Sequence, residues 1–369
     1  PQSQTLVHAA SNPSQQISSG GTFNAKEVNR ILDGLTPEQK ANINKLTGAD
    51  HAQKIRVDQK DLKSQKNINV IVQFNQDPAK IQIIKQSLAK GGATVNSQAF
   101  ASSYSDAQKK VKDSHAKFKS FLNEQPKTQI IGGKSVKTGI SITREYSEAF
   151  NGVALTLPAK MVGKIAENPE VASIWSQVEY TAAEGSTSKA SVTSESVGKP
   201  TTGLSLLGLD KLQAEGHTGI IKSGPRAGQK IKVGVLDTGI DYNHPDLKAV
   251  YKGGHDLVNN AGFDANGNIK YVDDNDPMET TYDDWVNAKA NPDAYGPPPA
   301  DYKQYITSHG THVSGTIAAH TTNNNDVYSA NGVAPDVDLY GYRVLGPGGR
   351  GTSDSVLNGI DQAVKDDMD

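Results

Sequence analysis

Cysteine is absent from the 369 residues. Its absence excludes disulfides, thiolate metal sites and a thiol nucleophile, but leaves secretion open. Long apolar runs are missing too, so no stretch reads as a membrane-spanning helix. No signal peptide opens the chain, which begins at Pro1; the expectation is that one was removed or lies upstream. Hydrophobic residues make up only 35%, still enough for a globular core, while 35 glycines and 17 prolines imply many loops. The length allows two domains.

Net charge is −2, but it is unevenly spread. Residues 1–180 carry 23 Lys and Arg against 15 Asp and Glu; the remainder carries 15 against 25. A basic first half docked on an acidic second half would be steered and held by opposite fields. The basic residues are scattered rather than interleaved with aromatics, which argues against a nucleic-acid partner.

Residues 1–67 read as an N-terminal extension, with short helices opening at Asn24 and at Thr36-Pro37-Glu38. From Ile68 the pattern sharpens. Ile68, Val70 and Val72 alternate against Asn69, Ile71 and Gln73, as in a strand. A helix over 78–90 is stopped by Gly91-Gly92. Residues 93–100 read as a strand and 106–122 as a long helix. Strands over 140–146 and 150–157, a helix over 158–168 and a strand over 171–180 follow. That order fits an α+β ferredoxin-like domain over residues 68–180. Residues 181–203, rich in Ser, Thr, Ala and Gly, read as a linker and the expected place of proteolytic processing.

In residues 204–369 a buried strand ends in a carboxylate at Asp237. Residues 251–306 read as a polar loop region. Ser308 is placed to cap a buried helix that begins with His309. A strand lies within 334–345, a Gly-rich edge covers 346–351, and Ser353 is placed to cap a further helix. Strands alternating with helices indicate a parallel α/β sheet, in which ligands bind beyond the carboxyl ends of strands. Asp237 lies at such an end. An acid there and a histidine at a helix start suggest the Asp-His part of a nucleophile triad. Asp237 would fix the imidazole tautomer, and His309 would take a proton from a hydroxyl. Read by spacing alone, both side chains could equally be structural.

The full motifs go further. Val235-Leu-Asp-Thr-Gly-Ile-Asp-Tyr-Asn-His-Pro-Asp-Leu247 resembles the aspartate motif of subtilisin-like serine proteases, and Ser308-His-Gly-Thr-His-Val-Ser-Gly-Thr316 their histidine motif. Gly332-Val-Ala-Pro335 and Tyr342-Arg-Val-Leu-Gly346 follow in the family's order. Residues 68–180 resemble the family's inhibitory, chaperone-like propeptide. Asp273-Asp-Asn-Asp-Pro-Met-Glu-Thr280 resembles the large secreted subtilases of the Vpr and lactocepin type. The resemblance implies a secreted zymogen with protein or peptide substrates, a subtilisin-like α/β sheet, and a propeptide bound to the catalytic domain. Asp237 and His309 match the catalytic aspartate and histidine. Leu345 matches the wall of an apolar substrate pocket. Gly349, Arg350 and Gly351 match the strand that pairs with substrate backbone, and Arg350 reads as favouring an acidic substrate residue.

The family's serine motif, Gly-Thr-Ser-Met-Ala, is not in these residues; Gly351-Thr352-Ser353 is followed by Asp354. The expectation is that the nucleophile belongs to a C-terminal remainder of the same precursor and that this chain alone is inactive. The rival reading is a non-enzymatic inhibitor or chaperone module with a dead remnant. No cofactor is required. Calcium is an option, because Asp246 matches a calcium ligand of some subtilases, although Thr321-Thr-Asn-Asn-Asn-Asp326 departs from the partner loop. The acids at 264–276 lack a full EF-hand pattern and read as a solvated loop. A metal reading of His309 and His312 fails for want of a glutamate between them and a third ligand.

Overall fold

The structure, a computed structural model, describes residues 23–45, 54–64, 67–91, 96–126, 128–131, 134–137, 139–182, 207–224, 226–258, 260–263, 269–271, 273–292, 298–321 and 331–369. The first half contains α1 (Ala25–Gly34), α2 (Pro37–Lys45), β1 (Ile55–Arg56), α3 (Gln59–Leu62), β2 (Asn67–Phe74), α4 (Ala79–Ala89) and α5 (Ser97–Glu124). It continues with β3 (Thr128–Ile131), β4 (Lys134–Lys137), β5 (Ser141–Tyr146), β6 (Gly152–Pro158), α6 (Val162–Ala166), β7 (Val171–Ser176) and β8 (Glu179–Thr181).

Five of these strands form one sheet in the order β1-β7-β2-β6-β5. β2 pairs antiparallel with both β6 and β7. The alternation read in β2 is its physical basis. Val70 and Val72 pack with Leu155, Leu157, Ile174, Phe118 of α5 and Ile165 of α6. Ile71, pointing the other way, packs with Tyr146 and Ala154 against Phe150, Trp175 and Leu357. Leu357 belongs to the second half of the chain, so the sheet's second face is covered by that half rather than by water. α1 adds a smaller core, in which Val28 and Leu32 meet Ile83, Phe100 and Val111.

The strand expected over 93–100 is not found among the described residues of that stretch. Asn96 caps a helix, its side chain accepting the Ala99 N–H at 2.8 Å, and Phe100 lies inside α5. Residues 93–95 of that expectation lie outside the described residues.

The second half contains α7 (Leu209–Ala214), β9 (Lys232–Asp237), β10 (Tyr251–Asp256), β11 (Asn260–Phe263), β12 (Ile269–Tyr271), α8 (Tyr282–Ala290), α9 (His309–Ala318), β13 (Asp338–Arg343), β14 (Arg350–Thr352) and α10 (Ser353–Lys365). β10, β13 and β9 form a parallel sheet in that order. Val235, Leu339 and Val337 pack there with Ile240, Leu247 and Ala318 of α9. Residues 251–306 are therefore not all loop. β10 is a sheet strand, and Thr281 opens α8 through a capping box with Asp284. The residue before α10 is Thr352, and the Ser353 hydroxyl accepts the Val178 N–H at 2.9 Å instead of capping the helix.

The two halves meet along α10. The Asp361 carboxylate accepts the N–H groups of Ser147, Glu148, Ala149 and Phe150 at 2.7–3.3 Å. Tyr146 donates its hydroxyl to Asp354 O at 3.1 Å, and burial pushes that hydroxyl far above its ordinary pKa, so it stays a donor. Arg144, 8% exposed, donates to Asp273 Oδ1 at 2.9 Å and to Leu257 O, and lies 3.4 Å from Asp354 Oδ2.

Candidate active site

β9 ends in Asp237, and α9 begins with His309. His309 Nδ1 lies 2.8 Å from Asp237 Oδ1 and 2.9 Å from Oδ2. A carboxylate can only accept, so Nδ1 carries the proton, and in the neutral ring Nε2 presents its lone pair. Asp237 is 8% exposed, and its Oδ1 also accepts the Thr238 N–H at 2.7 Å. The His309 side chain is 36% exposed, enough for its ring to meet a substrate. His312 is exposed and takes no part in the pair.

Gly310 allows this approach. A Cβ there would stand 2.1 Å from Gly239 O and 3.1 Å from Asp237 Cβ. Gly310→Ala is therefore expected to destabilise the fold by about 3 kcal/mol, the upper end of overpacking costs, as read by thermal or urea unfolding. A loss below about 0.5 kcal/mol would show that the helix start can shift freely.

Ser308 does not cap α9: its side chain makes no capping hydrogen bond. The first-turn N–H groups are taken from elsewhere. Gly310 N–H donates to Thr238 Oγ1 at 2.9 Å, and Thr311 N–H to Glu279 Oε1 at 2.9 Å. Neither acceptor is near in the chain, so helical patterning carried no sign of them.

β8 and β14 form an antiparallel pair, with Thr181 opposite Arg350, Tyr180 opposite Gly351 and Glu179 opposite Thr352. Ala182 N–H then donates to Gly349 O at 2.8 Å. Gly349 has φ +69°, and a Cβ on it would stand 3.0 Å from Ala182 Cβ and 3.8 Å from Thr238 Cγ2. The strand leaving the first half is thus delivered beside the turn that holds Asp237. Leu345 is buried in a cluster with Leu257 and Tyr342, against which Ala182 packs. Next to the strand pair lies a cleft of ≈ 910 Å³ lined by, among others, Glu179, Thr181, Asp256, Asp276, Arg343 and Arg350. Burial pushes the Asp256 carboxyl up, and the Arg343 guanidinium, 2.6 Å away, opposes that rise.

The acidic loop at 273–276 is not simply solvated. Asp273 accepts from Arg144 and from Asn358, and Asp276 accepts the Tyr242 hydroxyl at 2.8 Å. The Asp246 carbonyl accepts the His320 N–H at 2.8 Å. Among the described residues no three His, Asp or Glu are grouped to hold a metal ion. Residues 264–268 and 322–326, which figured in the calcium reading, lie outside them. No helix among the described residues is long and apolar enough to cross a membrane.

Residues 228–369 match the subtilase family, and residues 69–183 match peptidase inhibitor I9. The minor extracellular protease Vpr of Bacillus subtilis (strain 168) is 33% identical over 240 residues, covering 64% of this chain and 24% of that protein. Subtilisin E of the same organism is 28% identical over 274 residues, covering 74% and 53%. Subtilisin DY of Bacillus licheniformis is 31% identical over 167 residues, covering 45% and 41%. The chain therefore spans from about a quarter to about half of these relatives. Among solved structures, fervidolysin from Fervidobacterium pennivorans, a keratinolytic enzyme related to subtilisin, aligns with a TM-score of 0.38 and 16% identity, covering 84% of this chain and 36% of that one. Residues 69–183 are thus similar to peptidase inhibitor I9 and residues 228–369 to the subtilase family, a pairing that supports a subtilase precursor with its propeptide.

Proposed function

We propose that this chain is the N-terminal part of a secreted subtilisin-like serine endopeptidase zymogen, which hydrolyses peptide bonds through an acyl-enzyme. The observation that carries the reading is the hydrogen bond of His309 Nδ1 to the Asp237 carboxylate at 2.8 Å. In this reading His309 is the general base and Asp237 holds its tautomer. The nucleophilic serine comes from polypeptide beyond these residues, and the chain alone is inactive.

Residues 1–67 are an N-terminal extension, 68–180 the propeptide domain, 181–203 the linker with the processing site, and 204–369 the first part of the catalytic domain. The sheet order β7-β2-β6-β5 supports a ferredoxin-like propeptide. The pairing of β8 with β14 supports inhibition by β-augmentation: the propeptide tail lies where a substrate backbone would, along Gly349, Arg350 and Gly351. Cutting the linker turns a tethered inhibitor into a separable one and lowers its effective concentration. No organic cofactor enters this chemistry.

The test uses the protein extended through a serine motif. A fluorophosphonate is expected to label one serine in it, and His309→Ala is expected to abolish the labelling. Labelling that survives His309→Ala overturns the assignment.

A further inference from the structure

Glu279 is a buried carboxylate that the reading above leaves without a task. It is 5% exposed. Its Oε1 accepts the Thr238 hydroxyl at 3.0 Å and the Thr311 N–H at 2.9 Å, and its Oε2 accepts the Thr307 hydroxyl. Thr238 follows Asp237 directly. Thr307 and Thr311 stand two residues before and two after His309. One carboxylate therefore holds the Thr238 and Thr307 hydroxyls and the Thr311 N–H, tying the residue after Asp237 to residues on both sides of His309.

The grip is reinforced at each end. While donating to Glu279, the Thr238 hydroxyl accepts the Gly310 N–H, so two first-turn N–H groups of α9 are closed by this one relay. Thr280, next in the chain, exchanges hydrogen bonds with Thr307: its N–H donates to Thr307 Oγ1 at 3.1 Å, and the Thr307 N–H donates to its carbonyl at 3.1 Å. Arg343, at the end of β13, donates to the Thr280 hydroxyl at 2.6 Å. An ionised acceptor at a helix N-terminus is favoured by the helix dipole, and its hydrogen bonds are stronger than neutral ones. A helix whose own Ser308 supplies no cap depends on that acceptor for its placement.

We infer that Glu279 is a positioning residue, holding the start of α9 against the end of β9 so that His309 meets Asp237. This rests on the Asp-His reading given above. The test is the imidazole Nδ1–H proton of His309 in the ¹⁵N-labelled 369-residue chain, observed by NMR and assigned with His309→Ala. The wild type is expected to give one sharp low-field resonance. Glu279→Ala should lose it to solvent exchange while the resonances of the β2–β6–β7 sheet stay in place. Glu279→Gln keeps an oxygen for Thr238 and Thr311 and should recover the resonance. Where Glu279→Ala fails to fold, Thr238→Val decides, and must lose the signal.

An unchanged resonance in folded Glu279→Ala, or in Thr238→Val, overturns the inference. A wild type without the resonance overturns the pairing and the inference together. In the serine-bearing protein, Glu279→Ala should lower kcat about 10²-fold with KM nearly unchanged, the scale of a small misplacement. If the resonances behave as stated but no peptide is hydrolysed, the protease reading fails and the positioning role stands.

Discussion

Asp237→Asn is expected to lower peptide hydrolysis by the serine-bearing protein about 10⁴-fold while leaving its fold intact. The reason is the tautomer. Both oxygens of Asp237 face His309 Nδ1, at 2.8 and 2.9 Å, so the proton stays on Nδ1 and Nε2 is free to accept. Oδ1 also accepts the Thr238 N–H at 2.7 Å. An asparagine would turn its carbonyl oxygen to that N–H and its NH₂ to the ring. Nδ1 would then have to accept, and the proton would move to Nε2, where it blocks general-base action. Shape is conserved, so thermal unfolding should change little. The measurement is kcat/KM beside a melting curve. An Asn variant within tenfold of the wild type, with an unaltered melt, would sink the role given to Asp237.

Much of this site was legible because its signals are local. Asp237 stands at the end of an apolar run, and His309 lies in a run of small residues that only a tightly packed helix start requires. β2 showed through its alternation, and β5, β6 and β7 were also read as strands. What stayed hidden depends on partners far away in the chain. Glu279 is 41 residues from Thr238 and 28 from Thr307, so no periodicity links them. Ser308 looked like a cap because the residue type favours it, but distant acceptors had already taken the helix's N–H groups. β10 was hidden for another reason. Tyr251-Lys-Gly-Gly-His-Asp256 carries no apolar alternation, and its strand is made by pairing with β13. In the strand expected over 93–100, Phe100 packs into the α1 core from within α5.

Asp361→Ala is expected to weaken the hold of the propeptide on the catalytic domain by about 10²–10³-fold. Four backbone N–H groups, from Ser147 to Phe150, converge on this one carboxylate, and Asp361 is 8% exposed. Hydrogen bonds to charged groups contribute roughly 1.5–3 kcal/mol each. Water can reach part of the loop once the carboxylate is gone, because its residues are only half-buried. A net loss of about 3–4 kcal/mol follows, and each 1.4 kcal/mol is tenfold in affinity. The check is inhibition of the mature protease, wild type or Asp361→Ala, by the separate fragment of residues 1–200. Asp361 touches neither Asp237 nor His309, so kcat/KM for a peptide should hold while the inhibition constant rises. Inhibition should not vanish, because the β8–β14 pairing and the Arg144 contacts do not pass through Asp361. A rise below threefold would mean that the tail alone carries the docking and that the loop's N–H groups are as well served by water as by the helix.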